Sequence, residues 1–69
     1  MLEEIKAKIE GELERLMREL NVELPQKIEK AVELGDLREN ADYKAALERR
    51  DFVQARITHL TQRMGELSK

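Results

Sequence analysis

Two apolar seams that mirror each other about the Asp36–Leu37 bond constrain this 69-residue chain more than any other feature. The first runs Leu2, Ile5, Ile9, Leu13, Leu16, Leu20, Leu24, Ile28 and Ala31. Every step is three or four residues, the spacing of one helix face. The second runs Tyr43, Ala46, Arg50, Val53, Ile57, Leu60, Met64 and Leu67. Its steps alternate three and four, which makes a heptad seam with Arg50 as its one polar member, snorkelling along its aliphatic stem. In an antiparallel hairpin, facing residues have a constant sum of sequence numbers. Leu20 with Val53, Leu16 with Ile57, Leu13 with Leu60 and Ile9 with Met64 all sum to 73, as do Ile28 with Ala45 and Val32 with Ala41. Ile5 with Leu67 gives 72. Two independently read seams thus agree on an all-α fold, a two-helix antiparallel coiled-coil hairpin with an acidic tip. Thirty residues of helix make each arm about 45 Å long.

Composition supports a rod over a globule. Two aromatics, Tyr43 and Phe52, leave little for a three-dimensional core, and without cysteine no disulfide can help a chain this short. Charged residues make up 41% of the chain with both signs interspersed, as in long helices with a narrow apolar seam. No secretory apolar segment and no apolar run near twenty residues is present, so a membrane is not an expected partner and a cytoplasmic location fits. The net charge of −2 argues against wholesale nucleic-acid binding. Residues 1–34 hold nine acids and six bases, residues 35–69 six acids and seven bases; solvated helix faces account for this.

The sequence reads as a single helical hairpin over residues 1–69. Its first helix runs from about Leu2 to Leu34, its tip spans 35–40, and its second helix runs from Leu37 to about Leu67. Gly11 weakens the first helix by about 1 kcal/mol relative to alanine. Pro25 is its one interruption and costs about 3 kcal/mol in a helix interior. The helix either kinks or turns irregularly there, or restarts with Pro25 in a new first turn; the unbroken stripe favours the former. Gly35 is the expected left-handed stop. Asp36 is then a natural N-cap, with Glu39 three residues on completing a capping box. Leu34, Leu47 and Phe52 lie off the seam and offer a surface to a partner or to a second copy, a weak homodimer.

The chain carries no catalytic apparatus of its own: no cysteine, no histidine cluster and no glycine-rich phosphate loop. His59 falls off the seam and reads as a surface residue. What remains is the tip. Asp36 and Glu39 lie on one side of a helix start, with Asp42 a turn further along. Capping and solubility explain these residues in one reading. In the other, two carboxylates at the end of a thin rod suit Mg²⁺, which takes few protein oxygens and fills its shell from water and phosphate. Such a site would be complete only inside a partner.

The string Gly-Asp-Leu-Arg-Glu-Asn-Ala-Asp-Tyr-Lys-Ala-Ala (35–46) resembles the tip of the N-terminal coiled-coil hairpin domain of the Gre-type bacterial transcript cleavage (transcription elongation) factors. The likeness extends more loosely through Arg56-Ile57 to the end of the second arm. Pro25 has a counterpart in the family, about one turn nearer the tip glycine here. The resemblance implies a protein that binds bacterial RNA polymerase, inserts its hairpin through the secondary channel and stimulates the polymerase to cut backtracked RNA. It would not be an enzyme itself. By position, Asp36 and Glu39 match the two family acids that serve catalysis by sharing Mg²⁺ within the polymerase complex, close to the RNA 3′ end. Asn40, Asp42 and Tyr43 match the supporting tip. Arg38, Lys44, Arg49 and Arg50 are candidates for RNA or polymerase contact; Val32 and Leu47 are apolar where the family tends to carry basic residues. Family members have a C-terminal globular domain that grips the channel rim. This chain ends at Lys69, where that domain would begin, so it reads as an excised domain or a short homologue with weaker docking. The competing readings are a non-catalytic channel binder and a coiled-coil interaction module unrelated to transcription.

Overall fold

The first seam folds into a helical arm in three parts. Helix α1 (Leu2–Arg18) opens on Glu3 and Glu4, the charge that suits the N-terminal end of a helix dipole. A π-helical turn (Glu19–Glu23) follows, in which the Leu24 N–H donates to the Glu19 carbonyl five residues back. Helix α2 (Leu24–Glu33) follows without a break and carries Pro25 at its second residue, directly after the π-turn. The backbone stays helical throughout this passage, so the favoured expectation of a short irregular turn is met just ahead of Pro25, and the alternative of a broken helix that restarts at Pro25 is not.

The π-turn has a cause in the seam. The buried residues of the first arm are Ile9, Leu16, Leu24 and Ala31. Their spacing is seven, then eight, then seven. A regular helix would rotate Leu24 about 100° away from the partner over an eight-residue step. One extra residue wound into the π-turn returns Leu24 to the core, where it is 1% exposed.

The second arm is one helix, α3 (Ala41–Leu67). Its buried residues Ala46, Val53 and Leu60 recur at seven without interruption. The computed structural model, which describes all 69 residues, closes these arms into a rod of 49 × 16 × 13 Å. Ile9, Leu16, Leu24, Val53 and Leu60 form the core, with Ile5, Leu13, Leu20, Ile57, Met64 and Leu67 half-buried around it. Arg50, the polar member of the second seam, lies exposed on the surface, as a side chain that reaches out to solvent does. No helix is long and apolar enough to cross a membrane.

Two ion pairs clasp the arms. Arg56 donates to Glu12 at 2.9 and 3.4 Å, and Arg49 to Glu19 at 2.6 and 2.9 Å, both through two nitrogens. The pairs are one heptad apart on both helices, as an antiparallel register requires. Each arginine holds its glutamate below the usual carboxylate range by hydrogen bonding to the charged form, and each glutamate raises its arginine in return. Both pairs lie on one flank of the rod, which also carries Lys27, Asp42 and Arg63 at equivalent helical positions. Phe52 is on this flank too, with the Arg49 guanidinium 5.0 Å from its ring centre. On the other side of the buried line, Leu13, Leu20 and Ile28 of the first arm and Tyr43, Ile57 and Met64 of α3 complete the two seams, half-buried.

Candidate functional site at the hairpin tip

The tip begins where Gly35 takes φ 77, a conformation that favours glycine. Nothing stands within 4 Å of a Cβ added there, so conformation rather than space is what the position demands. Its N–H donates to the Val32 carbonyl at 3.0 Å, closing the end of α2. Asp36 follows at φ 44, also left-handed, which aspartate tolerates better than most residues. Its carbonyl then accepts the Glu39 N–H at 3.1 Å, so residues 36–39 form one tight turn.

This corrects the expected start of the second arm. Asp36 does not cap it, Asp36 and Glu39 do not form a capping box, and the helix begins at Ala41 rather than Leu37. The cap is Asn40, at φ −81 and ψ 102, whose Oδ1 accepts the Tyr43 N–H at 3.0 Å. Asn40 does more than cap. Its Nδ2 donates to the Ala31 carbonyl at 2.8 Å and to the Gly35 carbonyl at 3.2 Å. One amide side chain therefore serves the C-terminal end of α2 and the N-terminal end of α3 together. The Lys44 N–H donates to the Asn40 carbonyl, the first rung of α3.

Asp36, Arg38 and Glu39 share the turn and are all exposed. Asp36 and Glu39 are thus presented by a turn, not by a helix face. Asp42 is separate from them, exposed in the first turn of α3. None of the three carboxylates forms a hydrogen bond or an ion pair with the rest of the chain. No three acids or histidines converge on a point that would hold a metal ion alone. Two free, hard oxygen donors in one turn nevertheless fit Mg²⁺ if a partner supplies the remaining ligands. Tyr43 is half-buried; Lys44 and Arg50 are exposed. Arg49 is committed to Glu19 and Phe52 and sits about 12 Å along α3 from its start.

A groove of about 650 Å³ opens between α2 and α3 just behind the tip. Ala31, Ala45 and Ala46 line its floor, and Lys27, Lys30 and Asp42 stand at its edge. Lys27 and Lys30 were not among the residues expected to matter. The signal was present in their three-residue spacing beside the seam, on the flank where Arg49 follows across the groove.

Comparison with known proteins agrees with this geometry. A family model described as "Transcription elongation factor, N-terminal" matches residues 1–68. The chain is 43% identical over 65 residues to transcription elongation factor GreA of a Sulfurovum species, covering 94% of this chain and 40% of that protein. It is 50% identical over 54 residues to GreA of a Nitratiruptor species, covering 78% and 32%. It is 43% identical over 60 residues to GreA of Bacillus cytotoxicus, covering 87% and 38%. The chain therefore spans two fifths or less of the length of these relatives. No solved structure matches it. A seam that closes the hairpin, a glycine-hinged acidic tip and a family match over all but the last residue lead to one assignment: the chain belongs to the Gre family of transcription elongation factors, in the part that corresponds to their N-terminal domain.

Proposed function

We propose that the chain acts on bacterial RNA polymerase, entering its secondary channel tip first and stimulating cleavage of backtracked RNA. The observation that carries this reading is the pair of exposed, unpartnered carboxylates, Asp36 and Glu39, in one turn at the end of a 49 Å rod. The chain is not an enzyme in this reading; it completes a site that belongs to the polymerase, and its place of work is the cytoplasm. Asp36 and Glu39 would together hold a shared Mg²⁺, which when bound supplies an activated water and neutralises phosphate charge. The chain's own residues supply presentation. Asn40 ties the backbone of the turn to both helices, so only the two carboxylate side chains remain to be ordered on arrival. Arg38 and Lys44, both exposed beside the turn, offer cations to RNA phosphates or to acids of the channel. Asp42 adds negative charge a few residues away.

Cleavage in a purified, backtracked polymerase complex tests the reading. Asp36→Asn and Glu39→Gln are the informative variants, because asparagine tolerates the left-handed backbone at position 36. The expected result is stimulation by wild type and a loss of about a hundredfold or more in the double variant. Equal cleavage by wild type and double variant would remove the carboxylates from the chemistry. If wild type displaces an active cleavage factor without stimulating cleavage, the chain occupies the channel and does nothing further there.

A further inference from the structure

The two clasps belong to a longer series. On the first arm their positions continue as Glu12, Glu19 and Lys27; on α3 they continue as Arg56, Arg49 and Asp42. Glu12 with Arg56 and Glu19 with Arg49 each sum to 68. The π-turn winds one extra residue into the first arm, so the next facing pair beyond it sums to 69. Lys27 and Asp42 are that pair. The step of eight from Glu19 to Lys27 copies the step of eight from Leu16 to Leu24 in the core, while Arg49 to Asp42 is an ordinary seven. The third pair again sets a base opposite an acid, with the polarity reversed.

Their surroundings agree with their positions. Lys27 and Asp42 line the groove behind the tip together, one from α2 and the other from α3. Neither forms an ion pair or a side-chain hydrogen bond in this structure, so the rung stands open. Lys30, Glu33 and Arg49 are the other charged groups along the groove, and Arg49 is already bonded to Glu19. Between the two closed clasps the core is Leu16 and Val53; beneath the open rung it is Ala31, Ala45 and Ala46. Helices meeting over alanine can approach more closely. That suits the shorter side chain of aspartate, and the flexible stem and three donors of lysine span the remainder.

We infer that Lys27 and Asp42 are a third clasp, a strap that closes across the groove and ties the first turn of α3 to α2. Asp42 thereby serves the closure of the hairpin rather than the exposed pair Asp36 and Glu39, and the groove is accessible only while the strap is undone. The inference does not depend on the tip chemistry and is tested without polymerase.

A double-mutant cycle of Lys27→Gln and Asp42→Asn tests it. The readout is hydrogen exchange of the Lys44 amide, the first rung of α3. Both substituted positions are exposed, so the hairpin persists in every variant. At about 20 mM salt each single variant is expected to speed exchange. The double variant is expected to fall short of the product of the two effects by about two- to fivefold, the range of an exposed ion pair. At about 1 M salt the shortfall is expected to vanish. Lys27→Glu alone is expected to speed exchange further, and Lys27→Glu combined with Asp42→Lys to restore protection. Lys30→Gln with Asp42→Asn is expected to show no shortfall. Effects of Lys27→Gln and Asp42→Asn that simply multiply at low salt overturn the inference. A shortfall found with Lys30 in place of Lys27 overturns it too, as does one that survives high salt.

Discussion

Asn40 carries the tip because it is an amide. The sequence offers two good capping residues, Asp36 and Asn40, and local preference barely separates them. The choice is made across the hairpin, where an amide can donate to the Ala31 and Gly35 carbonyls and a carboxylate cannot. That requirement is tertiary, so the expected capping box at Asp36 and Glu39 was reasonable on spacing and wrong in the fold. Asn40→Ala should therefore cost about 1–2 kcal/mol, combining a lost cap with a lost bond to the Ala31 carbonyl, which keeps the Leu34 N–H. Asp36→Gly should cost little or nothing, because glycine takes φ 44 without strain. Urea unfolding of the two variants separates them; equal losses would return the cap to Asp36. For the functional test the corrected geometry is an advantage, since a carboxylate that caps nothing can be neutralised without loosening a helix.

Among the elements, the arms themselves were legible and their irregularity only half so. Seam spacing gave both helices and their pairing because burial of one face decides helix orientation. In the first arm, however, Leu16, Leu20, Leu24 and Ile28 are three successive steps of four, where a heptad would return to three. That is the trace of the extra residue, set just before Pro25. Spacing and proline can be separated experimentally. Deleting Val22, which is 39% exposed in the π-turn, restores seven residues between Leu16 and Leu24. The shortened helix then places the proline ring against a regular carbonyl, at about 3 kcal/mol. Val22 deletion alone should destabilise by roughly that amount, and Val22 deletion combined with Pro25→Ala should recover it. Pro25→Ala alone should keep the π-turn, because the eight-residue step remains. An NMR coupling across the hydrogen bond from the Leu24 N–H to the Leu20 carbonyl in place of Glu19 in Pro25→Ala would show instead that the proline makes the turn.

For the molecule as a whole, stability comes from one thin seam and two clasps, and the clasps give it an acid limit. Glu12 and Glu19 are held below their ordinary value of 4.5 in the folded chain. Their contribution is complete above that value and is lost as pH falls through the lower folded value. Urea midpoints should be level near neutrality and drop at acid pH. Glu12→Gln with Glu19→Gln should lower the neutral plateau and flatten the acid limb; an unchanged acid limb would mean the clasps carry no weight. Both clasps lie toward the base and middle of the rod, and nearer the tip the last buried layer is Ala31 and Ala46. Helices separated by alanine can approach more closely than helices separated by leucine. Those two small side chains consequently act as a gauge: they set the calibre of the leading end, and with it, under the proposed function, the smallest aperture the rod would enter. A bulkier residue at Ala46 would leave every tip carboxylate in place and still turn a needle into a plug.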